Sequence, residues 1–276
     1  MGSQITLADK NILITGGSMG LGFAAAQACL QAGGRVVICA RGESQLHWAL
    51  DKLKRIAGSD RVDGMRGDVS IMENVDAALD LLESSFGPVT SLIHAAAVQG
   101  PIGEITAVNP EEWLEAVRID LFGSFLTARQ TCMRMKPRGG RIVLFAGGGA
   151  AAPFPNFSAY ASSKAGVVRL TETIAQEMAP HDIEVNCLAP GLVNTRMVAQ
   201  SLAAGHLPKA RPVPASVGAE AAAFLVSDRA AGITGKFVAA PYDGWRDWPH
   251  HLQELNGSDV FTLRRIVPRD RGLGWQ

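Results

Sequence analysis

Residues 15–22 read TGGSMGLG, and they join a short apolar run, Asn11–Thr15, to an alanine-rich stretch, Leu21–Gln31. Glycines at such a place allow a tight turn and let the backbone approach a pyrophosphate closely. A helix that begins directly after the turn offers its free N–H groups and its dipole to the same phosphates. Turns that bind nothing also use glycine, but the flanking strand and helix favour a dinucleotide-binding site. The residues predicted to line it are Gly16, Ser18, Gly20, Leu21 and Gly22.

The rest of the chain repeats this alternation of short β-branched runs with longer amphipathic stretches, which predicts βαβ units in a parallel sheet. The predicted strands are Asn11–Thr15, Arg35–Ala40, Arg61–Arg66, Ser91–His94, Arg141–Ala146, Glu184–Leu188 and Lys236–Ala239. The predicted helices are Leu21–Gln31, Ser44–Ala57, Met72–Phe86, Pro110–Met135, Tyr160–Ala179 and Ser216–Ser227. Because no linker or internal repeat interrupts the pattern, we predict one domain, residues 1–276, with a variable loop at 190–214 and a C-terminal tail at 245–276.

The composition argues against several classes of function. The chain has 276 residues and 47% hydrophobic content, enough for an α/β core that covers both faces of a sheet. Lys plus Arg equals Asp plus Glu, at 26 each, so no net charge would recruit nucleic acid or an anionic membrane. Neither the four cysteines nor the histidines show metal-ligand spacing. No membrane span or leader is visible, and we expect a cytoplasmic protein with no metal.

The end of the second predicted strand bears on the choice of cofactor. An NAD site usually places an acidic side chain there to bind the ribose 2′-OH, whereas an NADP site offers a cation to the 2′-phosphate. Ala40 stands at the acidic position and Arg41 beside it, which favours NADP(H). Glu43 keeps NAD(H) as the alternative, and a solvated Arg41 at the start of a loop is the other interpretation of that residue.

Tyr160 and Lys164 are four residues apart, which places both side chains on one face of a helix. A phenol with a pKa near 10 is a poor base at neutral pH, and a nearby ammonium group favours its ionised form. The pair is therefore predicted to act in proton transfer, with Tyr160 as the general acid or base. The alternative is a half-buried tyrosine with a solvated lysine beside it.

Four motifs together resemble the short-chain dehydrogenase/reductase family. They are the TGxxxGxG turn at Thr15–Gly22, Asp68-Val69, Tyr160-x-x-x-Lys164, and Pro190-Gly191-x-Val193-x-Thr195, in the family's order over most of the chain. The resemblance implies a Rossmann-like, doubly wound sheet of seven parallel strands and a bound NAD(P). It also implies a homodimer or homotetramer packed through the fourth and fifth helices, and a small-molecule substrate. The arginines of the C-terminal tail would suit a polar or anionic substrate.

The resemblance also implies roles for individual residues. Asp68 and Val69 would border the adenine, and Lys164 would hold the nicotinamide ribose. Ala95, after the fourth strand, would lie along the cofactor. The segment after the sixth strand would reach the nicotinamide end through Pro190, Gly191, Val193 and Thr195.

Three positions depart from the family's pattern. The usual Asn-Asn-Ala-Gly turn after the fourth strand reads His94-Ala95-Ala96-Ala97, and the Asn of the fourth helix is Asp120. The catalytic Ser, thirteen residues before the tyrosine, is Gly147. Loss of one hydrogen-bond donor of this kind costs roughly 10²–10³ in rate, so a slower enzyme remains compatible with the sequence.

Each departure leaves alternatives open. Backbone N–H groups of residues 147–149, or a hydroxyl of the substrate, would replace the missing donor, or the glycines simply form a flexible loop. Asp120 would bind a water linked to Lys164 or pair with Lys164 directly. His94 is expected to be a packed residue under the cofactor rather than a catalytic acid.

These observations predict an NADP(H)-dependent oxidoreductase that interconverts an alcohol and a ketone or aldehyde, with an atypical active site. One alternative is a nucleotide-binding regulatory protein with reduced catalysis; another is an epimerase or dehydratase with a bound cofactor. The tail contains Trp245, Trp248 and Trp275 and an arginine cluster, and is expected to pack either as a lid over the site or as an oligomer contact.

Overall fold

A computed structural model describes residues 5–195, 198–199 and 212–274 of the chain. Its strands are β1 (Asn11–Thr15), β2 (Arg35–Ala40), β3 (Val62–Arg66), β4 (Ser91–His94), β5 (Gly140–Phe145), β6 (Ile183–Ala189) and β7 (Phe237–Ala239). They form one parallel seven-stranded sheet in the order β3-β2-β1-β4-β5-β6-β7. This order confirms the predicted Rossmann-like, doubly wound fold. The predicted strands agree with the observed ones to within one residue at each end.

The helices between these strands also follow the prediction closely. They are α1 (Gly20–Gln31), α2 (Glu43–Ala57), α3 (Met72–Phe86), α4 (Pro110–Val117), α5 (Gly123–Met135), α6 (Ser158–Met178), α7 (Ala215–Leu225) and α8 (Leu252–Asn256). Helix α4 begins where the sequence suggests, because Pro110 suits a first turn and the Asn109 side chain accepts hydrogen bonds from the N–H groups of Glu111 and Glu112.

The predicted continuous α-helix from Pro110 to Met135 is wrong in its middle. Residues Arg118–Phe122 form a π-helical turn between α4 and α5, and Asp120 lies at its centre. Gly123 follows directly, where a Cβ would come within 2.8 Å of a Val69 methyl group. Apolar periodicity does not distinguish a widened turn from regular α-helix, so the sequence pattern could not reveal it.

The apolar side chains form two layers, one on each face of the sheet. Helices α1, α2 and α7 contribute to the first layer, together with Trp245 and Trp248 from the tail. Helices α3, α5 and α6 contribute to the second. Strand residues such as Leu13, Val37 and Ile93 are fully buried between the layers, as expected when both faces of a parallel sheet are covered.

The strand order reverses between β1 and β4, and this is where open α/β sheets bind ligands, beyond the carboxyl ends of the strands. Thr15 at the end of β1 is in register with His94 at the end of β4. The Thr15 hydroxyl lies 2.9 Å from Nδ1 of the His94 ring. The fold therefore brings the glycine turn and the His94–Ala97 segment to one crevice.

The tail packs against strand β7 and against helices α6 and α7. Trp245 is 1% exposed, lies 5.1 Å from the Phe224 ring, and donates its indole N–H to the Ala240 carbonyl. Further on, the Phe237 N–H donates to the Phe261 carbonyl at 2.7 Å, and the Leu263 N–H donates to Glu172.

Parts of two predicted segments lie outside the described residues. These are positions 196–197 and 200–211 of the variable loop, and Trp275 in the tail. None of the helices that the structure does describe is long and apolar enough to cross a membrane.

Candidate active site

The glycine turn after β1 forms a cradle that excludes side chains. Gly16 has a φ of +65°, and a Cβ there would lie 2.8 Å from the Ala96 backbone. A Cβ on Gly22 would lie 2.3 Å from the Gly16 carbonyl oxygen. Helix α1 begins at Gly20, and its first N–H groups face this turn without a side-chain cap. The backbone at Gly16 and Gly22 is thus too crowded for a side chain, and the phosphate-binding role of this turn stays a prediction.

The segment after β6 reaches the same cradle. Thr195 lies beside it, since a Cβ built on Gly20 would be 3.6 Å from the Thr195 methyl group. Gly191 has a φ of +81°, and a Cβ there would lie 2.8 Å from the Pro241 ring. Val193 is buried and forms a β-bridge with Val213. The structure therefore places Thr195 next to the glycine turn, although the two are far apart in the sequence.

A cavity of about 380 Å³ opens at the carboxyl ends of β2 and β3. Its lining residues are Arg41, Arg66, Gly67, Asp68, Ile71 and Asn74. The Arg41 guanidinium is half exposed, and its Nη1 lies 3.8 Å from Asp68 Oδ2. Burial opposes ionisation of Asp68, but hydrogen bonds from Ser70 and the charge of Arg41 outweigh it and lower the pKa of the carboxyl group. Two guanidinium groups, those of Arg41 and Arg66, and one carboxylate, that of Asp68, therefore line the cavity.

A second cavity, of about 290 Å³, lies between the glycine turn and the start of α2. Ser18 and Met19 line it from the turn, and Ser44, Gln45 and Trp48 line it from the helix. Of these residues, the glycine motif predicts only Ser18 as part of the site. The sequence does place Ser44 at the start of the second helix, one turn before the exposed Trp48. That these residues lie near the glycine turn depends on the packing of α1 against α2, which the sequence pattern does not show.

Tyr160 and Lys164 occupy the first turns of α6 and face the end of β5. The Lys164 ammonium lies 5.5 Å from the centre of the Tyr160 ring and donates to the Phe145 carbonyl at 3.0 Å. Lys164 is 2% exposed, whereas Tyr160 keeps part of its surface accessible. The predicted pair is therefore together at the carboxyl edge of the sheet, close to the crevice between β1 and β4.

The pKa of Tyr160 is shifted in the direction opposite to the prediction. Dense packing around the hydroxyl raises the pKa, and the negative charge of Asp120 raises it further. The expectation that the Lys164 ammonium would lower the pKa is wrong in this structure, because burial disfavours the phenolate and Asp120 adds repulsion. Tyr160 is therefore held in its protonated form.

Gly147, at the position of the family's serine, lies directly against Tyr160. A Cβ at this residue would lie 2.3 Å from the Tyr160 hydroxyl oxygen. The following glycines lie against another aromatic side chain, since a Cβ on Gly148 would be 3.5 Å from the Phe154 ring and one on Gly149 would be 2.9 Å from the Phe154 Cβ. Gly149 also has a φ of +83°. The glycine run is thus a packed segment around two aromatic rings.

Asp120 and His94 are two buried polar groups next to this pair. Asp120 Oδ1 accepts a 2.8 Å hydrogen bond from the Val98 N–H, and the side chain is fully buried. Burial raises the pKa of Asp120 to about 6, although Lys164 favours the carboxylate. Burial, with the charge of Lys164, lowers the pKa of His94 to about 3, so the ring is neutral. A neutral His94 bonded to Thr15 fits the predicted packing role.

Comparison with known proteins gives a consistent family. The family described as short chain dehydrogenase matches residues 10–204. The chain is 30% identical over 238 residues to trans-4-hydroxycyclohexanecarboxylate dehydrogenase of Sinomonas cyclohexanicum, covering 84% of this chain and 92% of that protein.

Solved structures with the same fold include two reductases. A variant of actinorhodin polyketide ketoreductase with NADPH has a TM-score of 0.78 and 30% identity, with 85% of this chain and 97% of that chain covered. Levodione reductase has a TM-score of 0.80 and 27% identity, with 88% of this chain and 99% of that chain covered.

Proposed function

Because the chain belongs to the short-chain dehydrogenase family of oxidoreductases, we propose that it interconverts an alcohol and a ketone or aldehyde with NADP(H), using Tyr160 as the general acid or base. The observation that carries this proposal is the position of the Tyr160 hydroxyl. It lies against Gly147 beyond β5, with the Lys164 ammonium 5.5 Å from its ring. The glycine cradle is at the carboxyl edge of the same sheet.

The cradle fits a dinucleotide, since Gly16 and Gly22 leave space that a Cβ would fill. In this proposal the backbone of Gly16, Ser18, Gly20, Leu21 and Gly22 holds the pyrophosphate. Asp68 and Val69 border the adenine, and Ala95 lies along the cofactor. Lys164 holds the ribose next to the nicotinamide, while Pro190, Gly191, Val193 and Thr195 surround its other side.

Arg41 supports the choice of NADP(H). Its guanidinium is half exposed beside a polar cavity and is only loosely paired with Asp68, so it is available to a phosphate. Asp68 itself is occupied by hydrogen bonds from Ser70. NADPH in the related polyketide ketoreductase is in line with this assignment.

When bound, the nicotinamide supplies the hydride that reduces the carbonyl carbon of the substrate. Tyr160 donates its hydroxyl proton to the carbonyl oxygen, which becomes the alcohol, and then recovers a proton from solvent. With no hydroxyl at position 147, Tyr160 is the protein's own side-chain donor to that oxygen. In the reverse direction the Tyr160 oxygen takes the proton of the alcohol, after its own proton has first passed to solvent.

The substrate is proposed to be a small ring-bearing ketone or secondary alcohol. The related hydroxycyclohexanecarboxylate dehydrogenase is named for a substrate with a six-membered ring. In this chain, Gly148 is exposed and Phe154 lies beside it, which offers an apolar wall next to Tyr160. A polar or anionic substituent on the ring would be tolerated where the ring faces away from this apolar wall.

A homo-oligomer is proposed to form through the predicted fourth helix, which is α4 and α5 in the structure, and the predicted fifth helix, which is α6; the exposed apolar side chains lie on α4 and α5. Leu114 is 63% exposed, Phe125 40% and Met133 56%, so these helices carry large apolar side chains that a second copy of the chain would cover. The mass in solution, measured by light scattering, should be at least twice that of the chain. A monomer at micromolar concentration would contradict this part of the proposal.

The function is tested by following NADPH absorbance with a panel of cyclic ketones that includes levodione and 4-oxocyclohexanecarboxylate. Binding of NADPH and NADH is measured separately by Trp fluorescence. Turnover with a cyclic ketone that is faster with NADPH than with NADH is expected. Tight NADPH binding without turnover on any carbonyl compound or alcohol would instead support a nucleotide-binding regulatory protein.

A further inference from the structure

The carboxyl group of Asp120 is buried at the site, and one of its two oxygens has no hydrogen-bond partner among the described residues. Oδ1 accepts from the Val98 N–H at 2.8 Å, while Oδ2 finds no hydrogen-bond partner among the described residues. The side chain is 0% exposed. A buried polar oxygen without a partner is costly to a fold and calls for an explanation.

The surrounding structure holds Asp120 in this place. It lies in the π-helical turn between α4 and α5. The next residue, Leu121, packs so tightly on α6 that a Cβ on Gly166 would be 3.0 Å from its side chain. On the other side of the turn, Gly123 lies against Val69. The turn that carries Asp120 is therefore packed against α6 on one side and against Val69 on the other.

The groups that act electrostatically on Asp120 come from two elements. Lys164 and Tyr160 project from α6, and Arg41 acts from the end of β2. His94, at the end of β4, is neutral and contributes no charge of its own. Of the two cations, Arg41 is half exposed and thus screened by solvent, whereas Lys164 is buried. Two buried groups of opposite charge therefore bear on the phenol: Asp120, whose charge raises its pKa, and Lys164, whose ammonium lies 5.5 Å from the centre of the ring.

We propose that Asp120 is a positioning residue that offsets the Lys164 ammonium and thereby keeps Tyr160 a proton donor to higher pH than a neutral side chain at position 120 would. The proposal rests on the function proposed for Tyr160. A buried carboxylate repels a developing phenolate, whereas the ammonium attracts it. With both charges present, their effects on the phenol oppose each other.

The pKa shifts of Asp120 and Tyr160 agree with this role of Asp120. The pKa of Asp120, about 6, leaves the group a carboxylate above that pH. The pKa of Tyr160 is raised by burial and by this carboxylate, so the phenol stays protonated to higher pH than a free tyrosine does. Replacing Asp120 by the neutral Asn removes the repulsion, and the phenol then ionises at lower pH.

The composition of the chain makes a direct test possible. Tyr160 and Tyr242 are the two tyrosines of the sequence, and Tyr242 is 80% exposed. In a Tyr242→Phe background, ultraviolet absorbance of tyrosinate reports on Tyr160 alone. Three full-length proteins are titrated with base in this background. They are the protein with Asp120 unchanged, the Asp120→Asn variant, and the Asp182→Asn variant as the matched control. Asp182 is exposed after α6 at the opposite edge of the sheet, and its φ of +53° suits Asn. Circular dichroism at each pH establishes that the protein is folded.

Asp120→Asn is expected to lower the midpoint of the Tyr160 titration by one pH unit or more, and Asp182→Asn is expected to leave it unchanged. If Tyr160 in the Asp120 protein ionises only on unfolding, the folded Asn variant is still expected to ionise first. An unchanged or raised midpoint in Asp120→Asn overturns the proposal. This titration needs no turnover, so its outcome is independent of whether the proposed reaction is right.

A pH–rate profile gives the second readout. In ketone reduction with NADPH, the alkaline decline of kcat/KM is expected at least one pH unit lower in Asp120→Asn than in the unmodified protein. The ratio of forward to reverse kcat/KM at one pH is fixed by the reaction equilibrium, so only the position of the decline is informative. If neither protein shows tyrosinate before unfolding, an unshifted decline overturns the proposal. Loss of all activity together with an unchanged Tyr160 titration does so as well.

Discussion

The Tyr160 hydroxyl lies in the space that a side chain on Gly147 would enter. A Cβ on Gly147 would be 2.3 Å from the hydroxyl oxygen of Tyr160 and 3.0 Å from the ring carbon that carries it. Contacts that short do not occur between unbonded atoms, so any larger residue at position 147 must displace the tyrosine ring. The glycine and the position of the phenol are therefore linked, and a serine cannot simply be restored.

Adding a side chain at position 147 is expected to slow catalysis. Gly147→Ala and Gly147→Ser add the same Cβ, and displacement of the phenol by about 1 Å would cost on the order of 100-fold in rate. Ser should retain more activity than Ala, because its hydroxyl adds a donor near the substrate oxygen. Steady-state kinetics of the two variants, with NADPH affinity as a control, checks this. A Gly147→Ser enzyme faster than the unmodified protein would show that the ring moves freely.

Asp120→Asn is expected to stabilise the protein at neutral and alkaline pH. Burial raises the pKa of Asp120 from 3.8 to about 6, so ionisation above this range is less favourable in the folded state than in the unfolded state. The destabilisation is absent below the unfolded pKa, grows as pH rises, and is complete above the folded pKa. It amounts to on the order of 2–3 kcal/mol at about pH 8.

Urea unfolding of both proteins at about pH 4.5 and pH 8 measures this effect. The free energy of unfolding of the Asn variant should exceed that of the unmodified protein by more at pH 8 than at pH 4.5. An equal difference at the two pH values would mean that Asp120 does not titrate with a raised pKa in the folded protein.

Arg41→Ala is expected to reduce the preference for NADPH over NADH. Loss of a charge-assisted hydrogen bond to phosphate should weaken NADPH binding roughly ten- to hundredfold and leave NADH binding nearly unchanged. Arg55→Ala, an exposed position near the end of α2, removes the same charge away from the cavity and serves as the control. Equal affinities for the two cofactors in the unmodified protein would refute the assignment of NADP(H).

Trp245→Ala is expected to destabilise the whole domain. The indole is 1% exposed, packs 5.1 Å from the Phe224 ring and donates to the Ala240 carbonyl. Truncation of a buried aromatic residue of this size costs about 3–5 kcal/mol. Thermal unfolding measures the loss, with exposed Trp48→Ala as the control. A Tm within about 2 °C of that of the unmodified protein would contradict the packing of Trp245.

The contacts of residues 259–270 place this part of the tail away from the catalytic pair. Leu263 is bonded to Glu172, which lies twelve residues after Tyr160 on α6, or about 18 Å along the helix. Helix α6 runs away from the carboxyl edge of the sheet, so this contact is near the amino edge. Arg264 pairs with Asp259 and Asp270 inside the tail. These contacts offer no support for a lid formed by residues 259–270.

The sequence predicted the fold well because local signals were strong. Short β-branched runs alternate with amphipathic stretches, and glycines at positions 16 and 22 stand where the backbone is too crowded for a side chain. These patterns are set within a few residues along the chain, so they can be recognised without knowing the tertiary contacts.

The details of the site could be predicted only in part. The spacing of Tyr160 and Lys164 put them on one helix face, but the direction of the Tyr160 pKa shift depends on burial and on Asp120, which comes from another helix. The π-helical turn that holds Asp120 leaves no mark in apolar periodicity. The close approach of Tyr160 to Gly147 likewise results from packing between α6 and the end of β5.

Tyr160→Phe tests the proposed reaction most directly, with Tyr242→Phe as the matched control on an exposed residue. The substitution removes one hydroxyl and leaves the ring that packs against Gly147 in place. NADPH-dependent reduction of a cyclic ketone is measured for both variants, and NADPH affinity is measured alongside. We expect Tyr160→Phe to lose about 10²–10⁴ in kcat with NADPH affinity nearly unchanged, and Tyr242→Phe to match the unmodified protein. A Tyr160→Phe enzyme that keeps its full rate would show that another group supplies the proton, and the account of this site would be wrong.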